Sequence, residues 1–187
     1  RGWDAVREER AAQSEPIVTF HRLEYRFEAL RRLALEMLGK LARWLRALGY
    51  DCLYPRKIND EDLLRIAREG GRWLLTRDRR LARAAGSDRI LLIQSDYVDV
   101  QVSEVAEALR LQLTPVNALT RCLECNGALE PVAKEEVRGR VPPYTYTSQE
   151  SFIGCPDCGR IYWAGTHVGA ILDRLRRIEA AIKAVKE

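Results

Sequence analysis

The sequence contains no long hydrophobic run. No stretch of the 187 residues approaches the roughly 18 uninterrupted apolar residues of a membrane span. The charged opening RGWDAVREERAAQSEP also lacks the apolar core of a secretory signal. We therefore expect a cytoplasmic protein without a membrane partner. Internal repeats and low-complexity tracts are missing too, and 47% hydrophobic with 31% charged residues is typical of a folded globular protein.

A strong bias toward one sign of charge is also absent. The formal net charge is +4, which permits an anionic partner but is far from the charge of a histone-like protein. The length is sufficient for one substantial core and a smaller satellite domain, so we expect two domains.

Cysteine is scarce, yet four of the five cysteines form two CxxC pairs. Cys122 and Cys125 lie in CLECNG, and Cys155 and Cys158 lie in CPDCGR; a glycine close behind each pair is typical of a zinc knuckle. Four thiolates leave no open position for water, so the pairs predict one structural zinc ion. The alternative is two redox pairs, but neither follows the strand-to-helix context of a thioredoxin-like motif. Cys52 is predicted to be a small buried hydrophobe.

Strand patterns alternate with helical patterns in the first part of the chain. LGKLARWLRALGY predicts a helix that Gly49 ends, DCLYP predicts a strand, and the acidic NDED predicts a second helix beginning at Asn59 or Asp60. RWLLTRD and RILLIQSD predict further strands, each followed by a helix. Such alternation is typical of βαβ units, so we expect an α/β fold with a parallel sheet.

Two of the predicted strands end in aspartates. Asp78 follows WLLTR, and Asp96 follows LLIQS. The carboxyl ends of parallel strands meet at one edge of a sheet, where α/β folds build their sites. We therefore expect both carboxylates at that edge.

Several motifs in one order resemble the Mut-seven C-terminal RNase domain family, in which a PIN-like nuclease domain precedes a zinc ribbon. The motifs are MLGKLARWLRALGYD, DEDLLRIAREGGRWLLTRDRRL, RCLECNGALEPV and PPYTYTSQESFIGCPDCGRIYWAGTHV, and the likeness covers about residues 32 to 170. The resemblance implies a three-layer PIN-like α/β domain with a parallel sheet at 32–116 and a zinc ribbon at 117–168. We expect two further segments of the chain: an N-terminal extension of uncertain fold at 1–31 and a basic amphipathic helix at 169–187.

The resemblance further implies a ribonuclease whose clustered carboxylates hold Mg²⁺ or Mn²⁺ and thereby activate water. By position, Asp60 corresponds to the acid that opens the second helix and Asp78 to the acid of the TRD motif, with Asp96 as a further candidate. The family pattern has an aspartate where this chain has Leu35, and leucine cannot bind a cation. Glu36 is adjacent, but on a strand it would point to the opposite face.

Each acid has a simpler interpretation, and the chain as a whole has two alternative functions. Asp60 and Asp78 could cap helices, and Asp96 could belong to an ordinary loop. An RNA-binding or ribosome-associated adaptor without nuclease activity is the first alternative, supported by Leu35. A protein-interaction module, for instance for an RNA-processing partner, is the second, because zinc ribbons serve both purposes.

Basic residues accompany the acids in sequence. A rim of cations would contact RNA phosphates, although a solvated face is the ordinary explanation for any one of them. Trp44 and Trp73 fit core positions, whereas Tyr144, Tyr146 and Trp163 are candidates for stacking on bases. The cations of the predicted rim are Lys40, Arg43 and Arg46 on the first helix and Arg77, Arg79, Arg80 and Arg83 around the TRD motif.

Overall fold

The computed structural model describes residues 32–34, 38–55, 58–84, 86, 89–111, 113 and 118–186. The predicted extension at 1–31, and the positions of Leu35 and Glu36, lie outside these ranges. In chain order the elements are β1 (Arg32–Ala34), α1 (Gly39–Ala47), β2 (Cys52–Leu53), α2 (Asp60–Glu69), β3 (Trp73–Thr76), α3 (Arg79–Ala84), β4 (Ile90–Leu92), α4 (Val98–Leu109), β5 (Glu130–Val132), a 3₁₀ helix (Lys134–Val137), α5 (Pro143–Ser148), β6 (Phe152–Gly154), β7 (Ile161–Trp163) and α6 (Thr166–Lys186).

The first four strands form one parallel sheet in the order β2-β1-β3-β4. Arg32 pairs with Cys52 on one side and with Trp73 on the other, and Thr76 pairs with Leu92. These strands are separated by helices along the chain, as crossover connections between parallel strands require. The mixed α/β architecture with a parallel sheet is confirmed, while its three-layer PIN-like arrangement and the domain boundaries stay predictions.

Local signals set the ends of the first two helices. Gly49 follows α1 with a φ of 87°, a left-handed conformation that glycine adopts without steric cost. At α2 the side chain of Asn59 accepts a hydrogen bond of 2.8 Å from the backbone amide of Asp62. Asn59 is therefore the N-cap of α2, and Asp60 is the first helical residue rather than the cap.

The main core lies between the sheet, α1 and α4, and it also includes the last helix. Leu41 and Leu45 on α1 are fully buried and pack with Val105 on α4. Leu175 and Ile178 of α6 belong to the same cluster. The C-terminal helix therefore completes the core of the α/β domain.

Arg174 fixes α6 to the rest of the domain through polar contacts. Its Nη2 atom lies 2.7 Å from the Asp99 carboxylate at the start of α4. Its guanidinium also lies 5.0 Å from the centre of the Trp44 ring, which is a favourable cation–π distance. Within the residues described, no helix is both long and apolar enough to span a bilayer.

We predict that Leu175→Ala lowers the free energy of unfolding by about 2–5 kcal/mol, because it leaves a cavity in the shared core. Urea unfolding of the zinc-loaded chain measures the change. Arg177→Ala, at an exposed position of the same helix, is the control and should stay within about 0.5 kcal/mol. Equal effects of the two substitutions would contradict the integration of α6 into the core.

Candidate metal centre and acidic edge

The two CxxC segments fold into knuckles with matching hydrogen bonds. The amide of Cys122 donates to the Gly127 carbonyl, and the amide of Cys155 donates to the Arg160 carbonyl, both at 2.8 Å. In each knuckle the residue after the second cysteine, Asn126 or Gly159, donates to the carbonyl of the first cysteine. Both of these residues have left-handed backbones, with φ values of 74° and 71°. The second knuckle connects β6 to β7 in the antiparallel sheet β5-β6-β7.

The glycines of the two knuckles have different roles. Gly159 supplies the left-handed conformation that the sequence pattern predicts. In the first knuckle Asn126 takes that conformation, and asparagine tolerates it better than most residues. Gly127 matters for space instead, because a Cβ atom there would lie 3.1 Å from Cys155 Sγ and would displace the exposed carboxylate of Asp157.

The four predicted cysteines converge on one point. Their Sγ atoms all lie within 4.8 Å of one another, with 3.6 Å between Cys122 and Cys158 and 3.3 Å between Cys125 and Cys155. Tetrahedral zinc with Zn–S bonds of about 2.3 Å separates its sulfurs by about 3.8 Å. The cluster therefore fits a zinc ion, and four thiolates would close its coordination as in a structural site.

Neighbouring groups set the protonation of the cysteines. The Tyr162 hydroxyl lies 3.1 Å from Cys122 Sγ. Burial raises the pKa of Cys122, but the hydrogen bonds from Tyr162 and the other knuckle residues outweigh burial and lower it. Burial raises the pKa of Cys125 to about 12, so a bound cation has to displace a proton there.

Arg46 joins the first knuckle to the α/β domain. Only 5% of the residue is exposed. Its Nη1 atom donates to the carbonyls of Leu123 at 2.9 Å and Glu124 at 2.8 Å, the two residues between the first pair of cysteines. Its Nε atom donates to the carbonyl of Cys52 at 2.8 Å. The prediction that Arg46 belongs to an RNA-facing rim is wrong, because the knuckle covers its guanidinium.

Asn126 forms a second link between the same parts. Its Oδ1 atom accepts from the backbone amide of Cys52 at 2.9 Å, and its Nδ2 atom donates to Asp51 at 2.7 Å. Arg72 binds both oxygens of Asp51, at 2.8 and 3.0 Å. Burial raises the pKa of Asp51, but the hydrogen bonds from Arg72 and Asn126 outweigh burial and hold it below its usual value. Cys52 is fully buried beside this network, as predicted for the unpaired cysteine.

Sequence reasoning did not identify Arg46 or Asn126 as structural links. The available signals were weak. Arg46 lies one helical turn after the buried Ala42, and Asn126 follows a CxxC pair at a position suited to a left-handed residue. Neither signal reveals a partner, because these contacts join residues 74 to 78 positions apart in the chain.

The three predicted catalytic acids have different surroundings. Asp60 is exposed and makes no hydrogen bond or ion pair with any described residue. Asp78 Oδ1 accepts from the backbone amides of Arg80 at 2.7 Å and Leu81 at 3.2 Å, and these bonds lower the pKa of Asp78. Asp78 therefore caps α3, as its simpler interpretation predicts. Asp96 is exposed and forms an ion pair with Arg77.

The acids do not form a compact carboxylate group. Among the described residues, one group of three or more His, Cys, Asp or Glu side chains lies close enough together to hold a metal ion. That group consists of the four cysteines. Asp78 and Asp96 follow the neighbouring strands β3 and β4, which places both after the same edge of the sheet. Their role as ligands of a second metal stays a prediction.

The basic residues predicted to contact RNA also differ in whether they pair with a carboxylate. Lys40, Arg79 and Arg80 are exposed and form no ion pair with a described residue. Arg43 pairs with Glu124 of the first knuckle, and Arg77 pairs with Asp96. Trp44 and Trp73 pack against the main core as expected.

A family model, the Mut7-C RNAse domain, matches residues 31–175, most of the chain. The chain belongs to the Mut7-C RNAse domain family. The matched range includes the parallel sheet, both knuckles and α6 as far as Leu175, and it confirms the resemblance seen in the motifs. No curated protein matches the chain.

We predict that Arg46→Met destabilises the protein by several kcal/mol, because each buried carbonyl left without a donor costs about 1–3 kcal/mol. Arg43→Met, three residues earlier on α1, removes an exposed ion pair and should cost about 1 kcal/mol or less. Urea unfolding of both zinc-loaded variants makes the comparison. Similar losses from the two would show that the buried guanidinium does not fix the knuckle.

We predict that Gly127→Ala weakens zinc binding, because its methyl group would crowd the Sγ atom of Cys155 at about 3.1 Å and shift that ligand. Competition with a chromogenic zinc chelator measures the affinity, and we expect a loss of at least about tenfold. Gly169→Ala is the matched control, since open space surrounds that position on α6. Wild-type zinc affinity in Gly127→Ala would contradict the packing described for the two knuckles.

Proposed function

We propose that this chain hydrolyses RNA with the help of a divalent metal held at the carboxyl edge of its parallel sheet. The supporting observation is the match to an RNase domain family across that sheet, because Asp78 and Asp96 follow its neighbouring strands β3 and β4. Asp60, Asp78 and Asp96 are the proposed ligands of Mg²⁺ or Mn²⁺. The zinc ion would hold the ribbon and take no part in the chemistry.

The surroundings of the acids are compatible with metal binding. Asp78 uses Oδ1 for its helix cap, and a carboxylate has a second oxygen available for a cation. Asp60 has no competing partner among the described residues. Asp96 would exchange Arg77 for the cation, and Arg77 would then be free to contact a phosphate. A divalent metal in such a site supplies an activated water and offsets the charge that develops on the phosphate.

Binding of the RNA backbone would depend on exposed cations near this edge. Lys40, Arg79 and Arg80 are exposed, and lysine and arginine contact phosphates without reading sequence. Their contribution should therefore weaken as the salt concentration rises.

The second candidate function is RNA binding without cleavage, as an adaptor for a ribosome or an RNA-processing protein. Two considerations favour it. The resemblance implies an aspartate where this chain has Leu35, and Asp96 already forms an ion pair with Arg77. Fewer carboxylates bind a hard cation more weakly.

We predict that the chain cleaves RNA in Mn²⁺ or Mg²⁺ and that Asp78→Asn lowers the rate at least about 100-fold, since it removes a charged metal ligand. Asparagine is as good an N-cap as aspartate, so this variant changes the charge and keeps the start of α3. A panel of structured and unpaired RNAs provides the assay. Asp173→Asn, on the exposed side of α6, is the matched control and should cleave like the wild type.

Leu35→Asp separates the two candidate functions. Faster cleavage by Leu35→Asp than by the wild type agrees with an acidic site that lacks one ligand. If Leu35→Asp cleaves and the wild type only binds RNA, the second function is correct. If neither protein cleaves any RNA of the panel, the proposed nuclease activity is wrong.

A further inference from the structure

A cleft of about 570 Å³ lies between the α/β domain and the ribbon, apart from the acidic edge. Its volume lies within the roughly 300–1,000 Å³ that is typical of ligand sites. One wall comes from α1, another from both knuckles, and a third from α6. The cleft is lined by Arg43, Trp44, Ala47, Leu123, Glu124, Arg140, Gly159, Arg160, Ile161, Tyr162, Trp163 and Ile171.

The charges of the cleft favour an anionic ligand. Three arginines line it against a single carboxylate, Glu124, which pairs with Arg43. Arg140 donates from Nη2 to the Gly159 carbonyl at 3.0 Å, and a guanidinium has further N–H donors to offer. Arg160 is exposed, and its guanidinium forms no hydrogen bond or ion pair with a described residue. Two positive charges therefore remain uncompensated.

The same cleft also contains aromatic and aliphatic surface. Trp44, Tyr162 and Trp163 are partly buried in its walls, and Leu123 and Ile171 add apolar area. Aromatic rings beside arginines are typical of sites that stack unpaired bases and neutralise their phosphates. An acidic peptide would use the arginines but would leave the aromatic surface unmatched. A base-paired helix would not expose its base faces to these rings.

The walls of the cleft are held in position by the contacts of the metal centre. Leu123 and Glu124 are fixed through the hydrogen bonds of their carbonyls to Arg46. The Arg160 carbonyl accepts from the amide of Cys155, and the Tyr162 hydroxyl contacts Cys122 Sγ. A ligand would therefore meet a preorganised surface, which lowers the entropic cost of binding.

We propose that this cleft binds an unpaired segment of RNA, with bases on the aromatic surface and a phosphate at Arg160. The choice of RNA depends on the proposed function, since the family match is what makes RNA the expected substrate. The cleft would hold single-stranded RNA beside the domain that carries the acidic edge, and would make the protein selective for unpaired over base-paired substrates.

The test measures binding of a fluorescein-labelled 2′-O-methyl oligouridine to the full zinc-loaded chain by anisotropy, so that cleavage does not interfere. Arg160→Gln should weaken binding roughly fivefold. It should also make the slope of log K against log salt concentration shallower by about 0.7, which corresponds to the loss of about one phosphate contact. Arg160→Lys keeps the charge and should bind within about twofold of the wild type. Arg177→Gln is the matched control on the exposed side of α6, and zinc content verifies folding of each variant.

Three results would overturn the proposal: wild-type affinity in Arg160→Gln, equal affinity for a fully paired RNA hairpin, or displacement of the oligouridine by polyglutamate at equal concentration. Cleavage of unmodified RNA is followed separately. A chain that binds oligouridine through Arg160 but cuts no RNA supports the cleft and contradicts the nuclease. A chain that cuts RNA while Arg160→Gln binds normally contradicts the cleft alone.

Discussion

The buried guanidinium of Arg46 is the interaction on which the placement of the first knuckle against α1 and β2 depends. It satisfies the carbonyls of Leu123, Glu124 and Cys52 at once, and removing a charged group from water is costly unless its donors are used in this way. The planar fork of arginine suits several fixed acceptors, whereas a lysine ammonium is a single point of charge. One side chain of α1 thereby binds the turn of a zinc knuckle and the strand β2.

This link couples the metal centre to the rest of the protein. A zinc ion held by the four cysteines would contribute its binding free energy to folding, and Arg46 and Asn126 would link that contribution to β2. Asn126 combines a left-handed backbone for the knuckle with side-chain bonds to Cys52 and Asp51. The first knuckle is therefore fixed against α1 and β2, and the cleft beside it is lined by residues of α1, both knuckles and α6.

The helix cap that Asp78 forms is compatible with the metal-binding role proposed for it. Asp78 caps α3 through its Oδ1 atom. Its Oδ2 atom is left to bind a cation, so the cap is compatible with metal binding. Asp96 has its charge offset by Arg77, a pairing that a cation or a phosphate could replace.

The sequence alone determined the features that depend on local patterns. CxxC spacing predicted the four-cysteine cluster, the apolar spacing of α1 and Gly49 predicted that helix and its end, and strand–helix alternation predicted the parallel sheet with Asp78 and Asp96 after neighbouring strands. Only the tertiary structure decided that Arg46 is buried and that Leu175 joins the main core. Their partners come from distant parts of the chain, 77 and 78 residues away for Arg46, and the charge of a residue on a helix does not reveal which surface will cover it.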